Sequence, residues 1–289
     1  MTRRPLRAAR VLGGAFALAA LVAGTANAQR RPGRGGGGSN GLNQYFGGPD
    51  EMYQPPDFHG NPLYDGRVTF ARIRYRGFDH WSGREGPGWS HDYPDAEENF
   101  MKIVRDISAI NPFVQQGPIV GSVLVALDDP LLFKYPVSYM SEPGGWHPND
   151  KEIAGFRTYL EKGGFMIFDD FRENWNGNFD FTNLQEEVAR AFPNAKWVKL
   201  TGNEPIFDSF FKISLNAAIS RRSAYGTNLP TYWTVYQDND PKKRMLFIAN
   251  VDNDIGESWQ WSGMGFVPID AANETYKLGV NYFMYALTH

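Results

Sequence analysis

Gly163-Gly164-Phe165-Met166-Ile167-Phe168-Asp169-Asp170-Phe171 is the stretch on which the fold turns. Two glycines close a helical pattern, four apolar residues follow without a break, and two carboxylates come straight after them. A short apolar run bounded by turn residues is the pattern of a strand buried on both faces. Just upstream, Asn149 and Glu152 have the spacing of a capping box, and Ile153, Phe156 and Leu160 form a helical stripe that ends at Gly163-Gly164. Ile119 to Leu127 is a second, nearly continuous apolar run, and Val68 to Tyr75 and Pro136 to Met140 also read as strands.

Further helices are expected over Ala96 to Ile110, capped by Asp95 and Glu98, and after Thr182 and Gln185, where Leu184, Val188 and Phe192 share a face until Pro193. Lys196 to Leu200 reads as a strand and Pro205 to Ile213 as a short helix. Tyr232 to Tyr236 and Arg244 to Ala249 flank an Asp238-Asn239-Asp240-Pro241 turn and predict a hairpin. Ala272, Tyr276, Gly279, Val280, Phe283 and Leu287 mark a long terminal helix. Strands alternating with helices predict one α/β domain with a mainly parallel sheet.

The 289 residues contain no cysteine, which excludes disulfide scaffolds, thiolate metal sites and thiol nucleophiles. The first 49 residues hold seven arginines and no acid, so residues 50–289 carry 22 basic against 32 acidic side chains. So acidic a body does not suit nucleic acid, and no nucleic-acid partner is expected. Arg3, Arg4, Arg7 and Arg10 precede an apolar stretch from Val11 to Ala23 and a small-residue site at Ala26-Asn27-Ala28. That is the pattern of an export signal, too short to remain as a membrane span. The expected organisation is therefore a signal peptide over 1–28, a disordered Arg/Gly-rich linker over 29–58 and a single α/β domain over 59–289, periplasmic or secreted. Glycine-pattern matches at Gly33-x-Gly35-x-x-Gly38 and Gly37-x-Ser39-x-Gly41 lack a preceding strand and carry no chemistry. No metal and no organic cofactor is expected.

In parallel sheets the ligand crevice lies outside the carboxyl ends of the strands. The segments leaving those ends hold three of the five histidines and six of the eight tryptophans. They are Phe78 to Trp81, Trp89-Ser90-His91-Asp92-Tyr93, Glu142-Pro143-Gly144-Gly145-Trp146-His147, Asp169 to Trp175, Asn250 to Asp254 and Trp259 to Trp261. A polar pocket with aromatic walls is expected there for a small polar or saccharide-like ligand. Its candidate ligand-binding residues are Trp89, His91, Asp92, Tyr93, Glu142, Gly144, Gly145, Trp146, His147, Asp170, Arg172, Asn250 and Asp252. The alternative is a hydrolase drawing on Asp169, Asp170, His91 and His147, with His91, His147 and Asp170 as one conceivable metal set. A protein-interaction module of the cell envelope is a third reading. Asn250, Asp252, Asp254 and Gly256 lack the glycine placement of an EF-hand and read as a capped turn.

Several of these segments together resemble a family of exported bacterial proteins, the domain of unknown function family 4159. They are Val68 to Tyr75, Trp89 to Pro94, Ser141 to Trp146, Gly163 to Phe171, Arg244 to Asn250 and the Tyr276 to His289 tail. The resemblance implies a fold similar to class I glutamine amidotransferases, a flavodoxin-like three-layer α/β sandwich, and no established activity. Those enzymes keep a cysteine in a glycine-flanked elbow after a central strand, with a His-Glu pair downstream. Here Asp169-Asp170-Phe171 occupies the elbow and the only histidine after His147 is His289, so glutamine hydrolysis does not carry over.

Overall fold

The computed structural model describes residues 59–75, 88–116, 119–173, 180–215 and 229–289. The expected signal peptide and linker lie outside the described residues, as do the Phe78 to Trp81 and Asn174-Trp175 segments. The sheet is built from β1 (Phe70–Ile73), β4 (Ser122–Val125), β5 (Val137–Ser141), β6 (Phe165–Phe171), β7 (Trp197–Lys199), β8 (Thr231–Val235) and β9 (Phe247–Val251). Its order is β4-β1-β5-β6-β9-β8-β7. The first five of these run parallel, and β8 is antiparallel to both β9 and β7. The chain fills β1 and β4 on one side and then returns to place β5 on the other flank of β1. The strand order therefore reverses between β1 and β5.

Period-two alternation along the strands sends side chains to two helical layers. Met166, Phe168, Phe247 and Ala249 pack on α2 (Asp150–Glu161) and α3 (Asp180–Ala191) through Phe156, Leu160, Leu184 and Val188. Phe165, Ile167, Tyr139 and Ile248 face α1 (Asp95–Ile107), α4 (Ile255–Gln260) and α5 (Ile269–Thr288), meeting Phe100, Trp259, Val280 and Phe283. The result is a three-layer α/β sandwich, and its mainly parallel sheet is what the alternating pattern predicts.

Four local expectations differ. The Ile119 to Leu127 run is broken at Gly121, so β2 (Gln115–Gln116) pairs antiparallel with β3 (Ile119–Val120) before β4 begins. A Cβ at Gly121 would lie 2.4 Å from Val114 O, and this close approach is what glycine permits. α1 starts at Asp95 without the expected side-chain cap, whereas Asn149 and Glu152 do close a capping box on α2. α3 begins at Asp180, two residues before the expected Thr182, and only Pro205–Phe207 of the expected short helix forms, as a 3-10 turn.

Gly155 on α2 gives a prediction of reversed sign. Alanine in a helix interior normally stabilises by about 1 kcal/mol relative to glycine. Here its methyl would lie 1.9 Å from Leu127 O, a backbone atom that cannot swing away. Gly155→Ala is expected to lower stability by about 1–3 kcal/mol in denaturant melts.

Candidate functional site

β6 does not end where its apolar run ends. It continues through Asp169 and Asp170 to Phe171, and the register against β9 slips between Phe168 and Phe171. The bulge places two residues opposite one and gives Asp170 a left-handed backbone, φ 58°. The two carboxylates that follow the apolar run thus form a bulge inside the strand. It separates the fates of the two neighbouring carboxylates.

Asp169 points to the α4 layer and is fully buried. Its Oδ2 accepts hydrogen bonds from Tyr139 OH at 2.7 Å, Ile255 N at 2.8 Å and Gly256 N at 3.2 Å. Its Oδ1 accepts from Asn250 Nδ2 at 2.9 Å, and Asn250 Oδ1 in turn accepts from Tyr282 OH at 3.0 Å. Burial pushes the Asp169 carboxyl up to about 6 against the opposing bonds from Tyr139 and Asn250. Its hydrogen-bonding capacity is spent on structure, and so is that of Asn250.

Asp170 instead faces the strand ends. Its Oδ2 accepts from Ser141 Oγ at 3.2 Å and lies 3.4 Å from His91 Nδ1. His91 Nδ1 is also 3.0 Å from Glu142 Oε1. Burial opposes charge on this imidazole, yet the Asp170 and Glu142 carboxylates raise its pKa to about 11, so it is an imidazolium at neutral pH. Glu142 is held in the left-handed region at φ 48° just past β5, where Tyr75 OH lies 2.6 Å from its carbonyl oxygen. Gly88 makes room for it, since a Cβ there would sit 2.2 Å from Glu142 Oε2.

On the other side of Asp170 lie Asp92 and Asp254. Asp92 has φ 62°, and its Oδ2 is buried without a hydrogen-bond partner. Asp254 Oδ1 caps α4 by accepting from Glu257 N at 2.8 Å, so the segment expected as a capped β-turn is instead a capped helix start. Burial and then the neighbouring Asp170 charge push both carboxyls well above the usual carboxylate range. Two donor groups share Asp170: His91, Glu142 and Asp170, and Asp92, Asp170 and Asp254. Within each group the ligating atoms all lie within 4.8 Å of one another. The segment ahead of α1 and the end of β5 supply His91, Asp92 and Glu142, which puts the cluster where the strand order reverses.

Other expected site residues are placed elsewhere. Trp89 and Trp146 are core side chains, the latter packed 5.3 Å from Phe156, and Trp259 stacks on Phe100 at 4.4 Å. None of these three offers a face to a ligand. Gly144 and Gly145 are buried in a 3-10 turn, with the Asp180 side chain against Gly144. Tyr93 packs on the α2/α3 side of the core. His147 does not join His91 and Asp170. Its Nδ1 is 3.5 Å from Glu187 Oε1 on α3, and Glu142 takes the position expected for it. The Arg172 amide donates to Asp180 Oδ2, and Asp252 Oδ1 accepts from the Glu173 amide.

Beneath the cluster lies a pair that the candidate residues did not include. Arg72 and Glu97, each 1% exposed, meet at 2.5 Å from Nε to Oε1. The guanidinium also stacks over Tyr139, and Arg72 Nη1 donates to Trp89 O at 3.3 Å. A charge inside the apolar run Phe70-Ala71-Arg72-Ile73 was the signal for it. Arg72→Met would strand Glu97 in the core and is expected to cost about 3–5 kcal/mol in chemical denaturation. Arg72→Met combined with Glu97→Leu should recover most of that loss.

No similar protein is found among curated proteins. A family model described as Domain of unknown function (DUF4159) matches residues 69–287, which includes every donor of the strand-end cluster. The chain belongs to that family.

Proposed function

We propose that the protein binds a small polar or saccharide-like ligand at the carboxyl edge of its sheet, and that it does so outside the cytoplasm, delivered by the Arg3 to Ala28 signal. The observation that carries this reading is an open pocket of about 330 Å³ that shares Asp254 with the cluster around Asp170. Asp254, Glu257 and Glu274 line it beside Tyr232, Phe266 and Leu278, and its described lining holds no lysine, arginine or histidine. Glu274 is met by Lys277 at 2.8 Å, while Glu257 is exposed on the wall. Carboxylates accept from hydroxyl and ammonium groups, and the 74% exposed Phe266 ring gives a flat apolar face for a sugar ring. Sugars and amino sugars fit such a wall, and polyanions do not.

The fold-level relation to class I glutamine amidotransferases belongs to the same proposal. The Asp169-Asp170 bulge stands where that superfamily keeps its nucleophile, and a chain without cysteine has no thiol for glutamine hydrolysis. Metal-assisted hydrolysis is the second reading. It is favoured by His91 lying within 3.4 Å of both Glu142 and Asp170.

Thermal shift of the full chain against neutral sugars, amino sugars, simple amines and acidic sugars tests the binding reading. Stabilisation by hydroxyl- or ammonium-bearing members is expected, reaching about 2.7 kcal/mol at a hundred times Kd. Glu257→Gln should weaken that binding about tenfold without moving the unliganded melting temperature. A panel in which nothing stabilises the protein overturns the reading.

A further inference from the structure

Carboxylates gather on both sides of Asp170, with Glu142 and His91 within ligand reach of it in one set and Asp92 and Asp254 in the other. Arg72 is engaged by Glu97 and the Tyr139 ring. Buried carboxylates are normally satisfied by donors. Asp92 Oδ2 is buried, has no donor, and a Cβ on Gly256 of α4 would fall 2.8 Å from it. It faces the same space as Asp170 and Asp254, and among the described residues no polar hydrogen is within bonding distance of it.

We propose that Asp170 is the shared ligand of a divalent-cation centre, with Asp92 and Asp254 completing one position and His91 and Glu142 completing the other. A cation supplies what the orphaned Asp92 oxygen lacks. The all-oxygen set suits a hard ion, and the set with one imidazole nitrogen extends the range to borderline ions. Mn2+ is common to both preferences. At the second position Nδ1 of His91 is the ligating atom, 3.0 Å from Glu142 Oε1 and 3.4 Å from Asp170 Oδ2. Gly88 acts as a positioning residue by seating Glu142. The inference rests on the ligand-binding reading of this edge and deepens it, because sugar hydroxyls are themselves ligands for such ions.

The test is titration of the EDTA-dialysed full chain with Mn2+ alone, followed by calorimetry, Mn2+ electron paramagnetic resonance and thermal shift. Saturable binding with a raised melting temperature is expected. Asp170→Asn should weaken it at least about a hundredfold, and Gly88→Ala, which removes no donor, about tenfold. Asp92→Asn should also weaken Mn2+ binding while leaving the metal-free melting temperature equal or higher. A purely structural Asp92 would instead lower that temperature, and this result overturns its role as a ligand. No saturable binding below millimolar Mn2+, or binding unchanged in Asp170→Asn, overturns the centre. No organic ligand is present in the titration, so the two readings fail separately. Mn2+ binding without any sugar or amine ligand retires only the former, and ligand binding without Mn2+ binding retires only the latter.

Discussion

The Asp169 carboxylate is the joint on which the strand-end edge depends. Its four hydrogen bonds come from Tyr139 on β5, Asn250 on β9 and the two first amides of α4, so one buried side chain ties three elements to β6. A carboxylate at full burial is costly unless donors surround it, and here both oxygens are engaged. Asn250 passes the link on to Tyr282 in α5. Because α4 is fastened by its first turn, Asp254 is fixed at the helix entrance and Gly256 is pressed close to Asp92. The positions of the acidic groups at the edge follow from that one anchored residue.

The bulge in β6 lets two adjacent carboxylates do different work. In a regular strand Asp170 would turn toward the α2/α3 layer, among Met166 and Phe168, where its charge would have no partner. The extra residue returns Phe171 to that layer and leaves Asp170 at the strand end beside Ser141 and His91. The left-handed backbone costs a non-glycine residue on the order of 1 kcal/mol or more. Asp92, Glu142, Asp170 and Asp252 all adopt it along the same edge. The strain is offset by anchored neighbours such as Tyr75, whose hydroxyl lies against the carbonyls of Ser141 and Glu142.

The sequence makes the layers of this fold legible and the partners within the site much less so. Uniform apolar runs and the Asn149-Glu152 box announce β6 and α2 because burial on both faces and helix capping are local requirements. The bulge is not local. Whether Asp169 starts a turn or continues the strand is decided by Asn250 and α4, roughly eighty residues away. The tryptophans mislead for a related reason. Trp89, Trp146 and Trp259 lie beside polar residues in sequence, yet each fills core volume under the segment that carries it. Composition alone does not separate an aromatic that lines a cleft from one that pins a loop. The metal-ligand spacings that sequence reading relies on are likewise missing, because the donors around Asp170 leave the sheet in four separate segments.

The absence of cysteine has a physical counterpart at the end of β6. An elbow nucleophile needs an exposed side chain on a sharp turn, a neighbouring base and donors aimed at a developing oxyanion. Here the strand instead continues through Asp169 and Asp170, and the backbone amides at the start of α4 are consumed by Asp169. The nearby imidazole is raised to about 11 by two carboxylates and so holds a proton where a base would need to accept one. The edge thus differs from a thiol hydrolase in its strand path, its amide donors and its histidine as well as in one residue. A cysteine placed at Asp170 would supply a sulfur without the turn, the oxyanion donors or the base. What the edge retains is a set of converging carboxylate oxygens, and their chemistry is the binding of cations and of hydroxyl or ammonium groups.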